Sequence, residues 1–138
     1  MTQNAYDIAI VGAGMVGAAI ACGLAPTGLR IAILDRTPPT PFDANQAPDI
    51  RVSALSYASE QILRNLGAWQ FISAMRTCPY QRMGVTEKLD TPLTFAGSPL
   101  NQTLFDSTDI GYPYLGHIVE NNITQLGLHQ AMAQYQNI

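Results

Sequence analysis

Apolar residues fall along this chain in three rhythms, and each predicts a different element. Two unbroken runs, Ile8-Ala9-Ile10-Val11 and Ile31-Ala32-Ile33-Leu34, have the length of strands and the character of a parallel sheet covered on both faces. Between them lies Gly12-Ala13-Gly14-Met15-Val16-Gly17, followed by small apolar residues that predict a helix over 15–25 packed closely on that sheet. Pro26 disfavours helix at the residue before it, so the helix ends near Ala25 and Gly28 turns the chain into the second strand. A helical rhythm returns in Leu55, Ala58, Ile62, Leu63 and Leu66, with Glu60, Gln61 and Arg64 toward water. Ser53 or Ser56 can cap the start of this helix, and Gly67 stops it. A short second helix over 68–75 carries Trp69 and Ile72 to the same core. The third rhythm is β-like: Met83-Gly84-Val85-Thr86, Leu93-Thr94-Phe95 and Thr103-Leu104-Phe105, separated by Asp90, Pro92, Gly97 and Pro99. Ile118-Val119 returns the chain toward its first part. Asn122 then caps a last helix that carries Ile123, Leu126, Leu128 and Met132 and is frayed by Gly127.

Residues 36–50 break all three rhythms. Pro38, Pro39, Pro41 and Pro48 interrupt any ladder or helix, so a loop of this length is expected to have a function or to be mobile. The whole chain, 138 residues, is one ordinary domain in size and can bury a core. No run of eighteen apolar residues exists, and Met1-Thr2-Gln3-Asn4 lacks the basic residues of a secretory signal, so a cytoplasmic location is expected. A net charge of −3 with seven scattered basic residues argues against a nucleic-acid surface. Cys22 reads as a small buried thiol in the first helix, and Cys78, before Pro79, as a loop residue. His117 and His129 have no thiol or carboxylate at ligand spacing, so no metal is expected.

The glycine turn carries the chemistry. Gly12 permits a tight turn out of the strand, Gly14 lets backbone approach a pyrophosphate, and Gly17 lets the helix pack on the sheet. The helix then points unpaired N–H groups and the positive end of its dipole at the phosphates. Asp35, eighteen residues beyond Gly17 at the end of the second strand, can accept from ribose hydroxyls. This is a Rossmann-like βαβ unit for an adenine dinucleotide. A second stretch, Asp49-Ile50-Arg51-Val52-Ser53-Ala54-Leu55, places Arg51 just ahead of the amphipathic helix, where a guanidinium can meet a phosphate. Alone, an arginine beside an aspartate is a solvated pair; after a dinucleotide turn it becomes a candidate ligand.

Three segments, Asp7 to Gly17, Asp49 to Leu55 and Gly116-His117-Ile118-Val119-Glu120-Asn121, resemble the FAD-dependent aromatic hydroxylases of ubiquinone biosynthesis, UbiH/VisC type, cousins of para-hydroxybenzoate hydroxylase. Leu66-Gly67-Ala68-Trp69 is similar to the same family's segment after its first long helix. The resemblance implies that Gly12, Gly14 and Gly17 hold the FAD pyrophosphate and Asp35 the adenosine ribose, where the family more often has glutamate. It assigns Arg51 to the region of the pyrophosphate and ribityl chain. Asn121 falls where relatives place glutamine or arginine on the flavin side; capping the last helix with Asn122 is its equal alternative. Members of the family reduce FAD with NAD(P)H or another donor and use O2 to hydroxylate an electron-rich ring. The implied partners are a polyprenylated phenol or quinol, other ubiquinone-biosynthesis proteins and a peripheral membrane surface. No catalytic residue is implied within this segment.

The expected architecture is therefore α/β: an FAD-binding part over 1–79, part of a substrate-domain sheet over 80–117, and a return to the first part over 118–138. Tyr80, Phe95 and Phe105 could line a substrate chamber, though aromatics on strands are more often core. With only two parallel strands, and with the family's later Asp-Gly and Gly-Asp segments missing, the chain reads as an incomplete N-terminal portion of a larger flavoprotein. Two other readings stay open: another two-dinucleotide flavoprotein, and a non-catalytic dinucleotide-binding module.

Overall fold

The computed structural model describes residues 5–86 and 101–138, together with the backbone of 94–95 and 98–99. Strands β1 (Ile8–Val11) and β2 (Ile31–Leu34) pair in parallel, Ile8 opposite Ile31 and Val11 opposite Leu34. Helix α1 (Met15–Leu24) is the crossover between them, and a 3₁₀ turn, Ala25–Thr27, follows it. Pro26 sits inside that turn, and Gly28 closes it at φ 77°. The βαβ unit thus forms as the sequence predicts, within one residue at the helix end. Residues 35–51 carry no strand or helix, as the prolines dictate.

The next segment departs from expectation. Residues Val52–Ser56 form a strand, β3, and only then does helix α2 (Tyr57–Asn65) begin. Val52 and Leu55, three apart, would share a helical face but fall on opposite faces of a strand, exposed and half-buried, so the local spacing alone favours helix. What decides is a distant partner, β9 (Gly116–Glu120), which pairs antiparallel with β3, Val52 opposite Glu120 and Ser56 opposite Gly116. Ser56, not Ser53, caps α2, its side chain accepting from the Ser59 amide. Arg51 accordingly precedes a strand and gains nothing from a helix dipole.

Helix α3 (Trp69–Met75) follows Gly67, and Trp69 and Ile72 are buried as expected. Strand β4 (Cys78–Tyr80) then joins the opposite edge of β9, giving the order β3-β9-β4. Cys78 therefore lies in a strand and not a loop, and Pro79 is tolerated because β4 is an edge. Strands β5 (Arg82–Thr86) and β8 (Gln102–Asp106) pair antiparallel. Between them β6 (Thr94–Phe95) pairs with β7 (Ser98–Pro99). Leu93, Asp90, Pro92, Gly97, residues 1–4 and the Phe95 side chain, all cited in the sequence reading, lie outside what is described.

Helix α4 (Asn121–Met132) leaves β9 directly. Its N-cap position is Glu120 and no side chain caps it, so Asn122 does not play the predicted part. Instead Asn122 Nδ2 donates to the Thr40 carbonyl, tethering the proline-rich loop. Gly127 does not fray the helix either: it is buried where α4 meets α3, and a Cβ there would collide with Ile72. The core lies among α1, α3, α4 and the sheets, with Ala18, Ala21, Cys22, Ile31, Ile72, Val119, Ile123 and Leu128 at its centre. Alanines at 18 and 21 are what let α1 approach α4 closely.

Two residues of α2 are placed opposite to expectation. Ile62 is 59% exposed and lines an open apolar groove with Val16 and Ile20. Glu60 is fully buried. Its Oε1 accepts from Arg64 Nε at 2.8 Å and from the Tyr114 hydroxyl at 3.0 Å. On the other oxygen, His117 Nδ1 lies 3.1 Å from Oε2, too poorly aligned for a hydrogen bond. A carboxylate goes inside only when charges and donors meet it there, and here they come from α2, β9 and the segment before it. Burial, and next the Glu60 carboxylate, push the Tyr114 phenol up, so that it stays a donor.

Candidate functional site

Gly12 leaves β1 at φ 104°, a conformation an L side chain rarely adopts, and its N–H donates to the Leu34 carbonyl at 2.7 Å. Ala13 follows in the turn. Gly14 is the N-cap of α1 with extended backbone, and a Cβ built there would meet nothing within 4 Å. Gly17, one turn into the helix, is different: its Cβ would overlap the Gly12 carbonyl oxygen. So Gly12 makes the turn, Gly17 brings helix and turn together, and Gly14 leaves open space in front of the helix.

The amides of Gly14, Met15, Val16 and Gly17 donate to no protein acceptor among the described residues; the first bond of the ladder runs from Ala18 N–H to the Gly14 carbonyl at 2.9 Å. Four orphan donors and a helix dipole converge on that open space, which suits an anionic group. No acidic side chain lies in the first turn of α1 to repel one.

Asp35 stands at the edge of the turn. Its Oδ2 accepts from the Ala13 amide and its Oδ1 from the Arg36 amide, each at 2.6 Å. These bonds, that from Ala13 the larger, hold its carboxyl below the usual carboxylate range. Asp35 is thus an ionised acceptor at neutral pH, and each oxygen keeps lone pairs for a hydroxyl donor. Val11, Gly12, Leu34, Asp35 and Arg36 line a cleft of about 580 Å³ beside the turn.

Arg51 and Asn121 are brought together by the β3–β9 ladder, the Asn121 amide donating to the Arg51 carbonyl at 2.9 Å. The Arg51 side chain is exposed, and its guanidinium has no hydrogen bond or ion pair among the described residues. Asn121 Oδ1 accepts from the Ser53 hydroxyl at 2.6 Å, which leaves Nδ2 as the free end of that amide. Asn121 is therefore neither a side-chain cap nor unattached.

Two contributors went unread in the sequence. Gln125 Nε2 donates to the Ala13 carbonyl at 3.0 Å, and His129 Nε2 lies 2.7 Å from the same oxygen. Their i, i+4 spacing was the available signal, since it puts both on one face of α4. Asn121 lies one turn ahead of Gln125, about 6 Å along the helix axis. Helix α4 thereby links the Arg51–Asn121 pair to the glycine turn. A second anchor holds the loop leading to Arg51: the Arg76 guanidinium donates to Glu120 Oε1 at 3.1 Å and to the Gln46 carbonyl at 2.9 Å, while Glu120 Oε2 accepts from the Asp49 amide at 2.8 Å.

No family model matches the chain. The chain is 38% identical over its whole length to 3-demethoxyubiquinol 3-hydroxylase of Escherichia coli, of which it covers 33%. It is 35% identical over 126 residues, 86% of the chain, to the mitochondrial ubiquinone biosynthesis monooxygenase COQ6 of Xenopus tropicalis, covering 24% of it. The chain therefore spans a third or less of these curated relatives. Among solved structures, p-nitrophenol 4-monooxygenase PnpA of Pseudomonas putida matches with a TM-score of 0.63 at 16% identity, over 94% of this chain and 30% of that one. Aklavinone-11 hydroxylase in ternary complex with FAD and aklavinone matches at 0.61 and 18% identity, over 99% and 25%. At those identities the likeness is one of fold.

Proposed function

We propose that this relative of the ubiquinone-biosynthesis hydroxylases holds FAD at its glycine turn, as the cofactor-binding part of a flavin-dependent monooxygenase acting on the aromatic ring of a polyprenylated phenol or quinol. The observation that carries the reading is the turn itself: four unpartnered amides facing a space that a Cβ at Gly14 would enter. A pyrophosphate fits that donor set in charge and in shape.

In this reading the pyrophosphate lies over Gly12, Gly14 and the start of α1, with Gly17 setting the distance between helix and turn. Asp35 accepts from the adenosine ribose. Arg51 supplies a mobile positive charge toward the phosphates or ribityl chain, and Asn121 presents its Nδ2 on the flavin side, its other end held by Ser53. Bound FAD, reduced by NAD(P)H or another donor, supplies the O2 chemistry that hydroxylates the ring. The protein's own part here is to bind and orient; no proton transfer is assigned to these residues. Residues 1–79 and 118–138 serve the cofactor, and 80–117 contribute to the substrate-side sheet.

A polyprenylated substrate calls for contact with the periphery of a membrane or with other proteins of the pathway. Among the described residues no helix is long and apolar enough to cross a membrane. The test is FAD uptake: titrating FAD into the purified protein while following flavin fluorescence and the visible spectrum of the dialysed complex. Saturable binding, competed by ADP, is expected. Absence of any uptake would remove the cofactor and, with it, the monooxygenase reading.

A further inference from the structure

Two side chains of α4 reach back 112 and 116 residues in sequence to one backbone oxygen of the glycine turn, the Ala13 carbonyl. A carbonyl can only accept, and it has two lone pairs, so Gln125 Nε2 and His129 Nε2 can both donate to it; His129 must then carry a proton on Nε2. The Ala13 N–H is engaged as well, donating to Asp35 Oδ2 at 2.6 Å. Both polar ends of this one residue are therefore gripped from outside the turn.

This grip fixes more than Ala13. The peptide between Ala13 and Gly14 is trans, as are all those described, so its C=O and N–H point in opposite directions. With the carbonyl drawn to α4, the Gly14 N–H is turned away from α4. A flip of this plane turns ψ of Ala13 and φ of Gly14, and glycine at 14 accepts the positive φ that would result, so its own sterics do not oppose the flip. A flipped plane would show the phosphates a carbonyl oxygen in place of an amide.

We propose that Gln125 and His129 are positioning residues for the dinucleotide, orienting the Ala13–Gly14 peptide so that the Gly14 amide faces the pyrophosphate. The inference rests on the FAD reading above. It gives a reason for two donors on one carbonyl where a single one would satisfy it.

The test uses the full protein and reads FAD affinity by flavin fluorescence alongside thermal unfolding without FAD. Gln125→Leu and His129→Leu each remove a donor, whereas His129→Gln keeps an N–H on a side chain of comparable reach. Each leucine variant is expected to bind FAD about tenfold more weakly, the scale of one net hydrogen bond, and to lower the ligand-free unfolding temperature by no more than the loss of that one bond allows. His129→Gln is expected to recover most of that loss. Leucine variants that bind FAD as the parent does would overturn the proposal while leaving the FAD reading intact. Equal loss in His129→Leu and His129→Gln would also overturn it, since packing and not donation would then be at work. A parent protein that takes up no FAD would overturn both.

Discussion

Gly17 and Gly12 meet where no side-chain atom fits: a Cβ on Gly17 would overlap the Gly12 carbonyl oxygen. Gly14, three residues earlier, has open space and an extended backbone that any residue adopts. The two glycines therefore predict opposite phenotypes. Gly17→Ala should cost about 1–3 kcal/mol of stability, since the clash is with backbone that cannot rotate away. Gly14→Val should unfold like the parent in urea yet fail to retain FAD, because its side chain would stand in the space proposed for the pyrophosphate. Reversed results in paired denaturation and flavin titrations would mean that the turn is misassigned.

The exposed Arg51 guanidinium makes no hydrogen bond or ion pair among the described residues, so its removal breaks no polar contact of the fold. Arg51→Ala should keep its melting temperature and weaken FAD binding by roughly tenfold, the scale of one charge-assisted hydrogen bond. Unchanged flavin content after exhaustive dialysis would take Arg51 out of the site.

The buried carboxylate of Glu60 gathers Arg64, Tyr114 and His117. Breaking such a group from one side leaves buried partners unpaired, and Glu60→Ala should cost on the order of 3 kcal/mol in urea denaturation. The exposed pair Arg30–Asp7 is the control: Arg30→Ala should leave stability almost unchanged. Similar costs for both would show that the Glu60 group is solvated.

Arg76 bonds Glu120 and the Ala44 and Gln46 carbonyls, pinning the proline-rich loop to β9. Arg76→Ala should expose residues 43–50 to limited proteolysis while leaving the core melting transition almost in place. Arg76→Lys should rescue poorly, since a point charge cannot reproduce a planar fork reaching several acceptors. Parent-like cleavage of the alanine variant would mean that the prolines alone hold the loop.

Asp106 accepts from the amide and the hydroxyl of Thr108 and from Arg82, which hold its carboxyl down from 3.8 to about 2. A depressed folded-state value means that the ionised form stabilises the fold. That contribution is fully present above pH 3.8 and disappears as pH falls through about 2. The carboxyl carbon of Asp106 should titrate in NMR near 2, and Asp106→Asn should destabilise the protein at pH 6 but not at the acid end. A midpoint at 3.8 would disprove the bonds that Thr108 and Arg82 make.

What the sequence made legible is what is local. The βαβ unit is written in adjacent residues, two apolar runs and a glycine turn, and it forms where those residues say. The errors all have distant causes. Val52-Ser53-Ala54-Leu55-Ser56 could be helix or strand until Gly116–Glu120 arrives to pair with it. Glu60 looks like a water-facing residue of an amphipathic helix because the groups that let it go inside, Tyr114 and His117, lie 54 and 57 positions away. The contact of Gln125 and His129 with the Ala13 carbonyl is distant too: their i, i+4 spacing puts them on one face of α4 but does not say which oxygen, 112 and 116 positions back, they meet. The site residues named from the motif fall around one turn and one ladder, but the parts that aim them do not belong to the motif.

Strand β9 passes into α4 without a loop residue between them, Glu120 ending the one and Asn121 starting the other. Sheet and helix therefore behave as a single crank. The arm from Asn121 to His129 is roughly 12 Å long, so tilting the sheet by only about 5° would swing the His129 end by about 1 Å. That displacement is enough to make or lose a hydrogen bond of 2.7 Å. Through α4, the attitude of the sheet and the geometry of the turn are thus linked by a single rigid element.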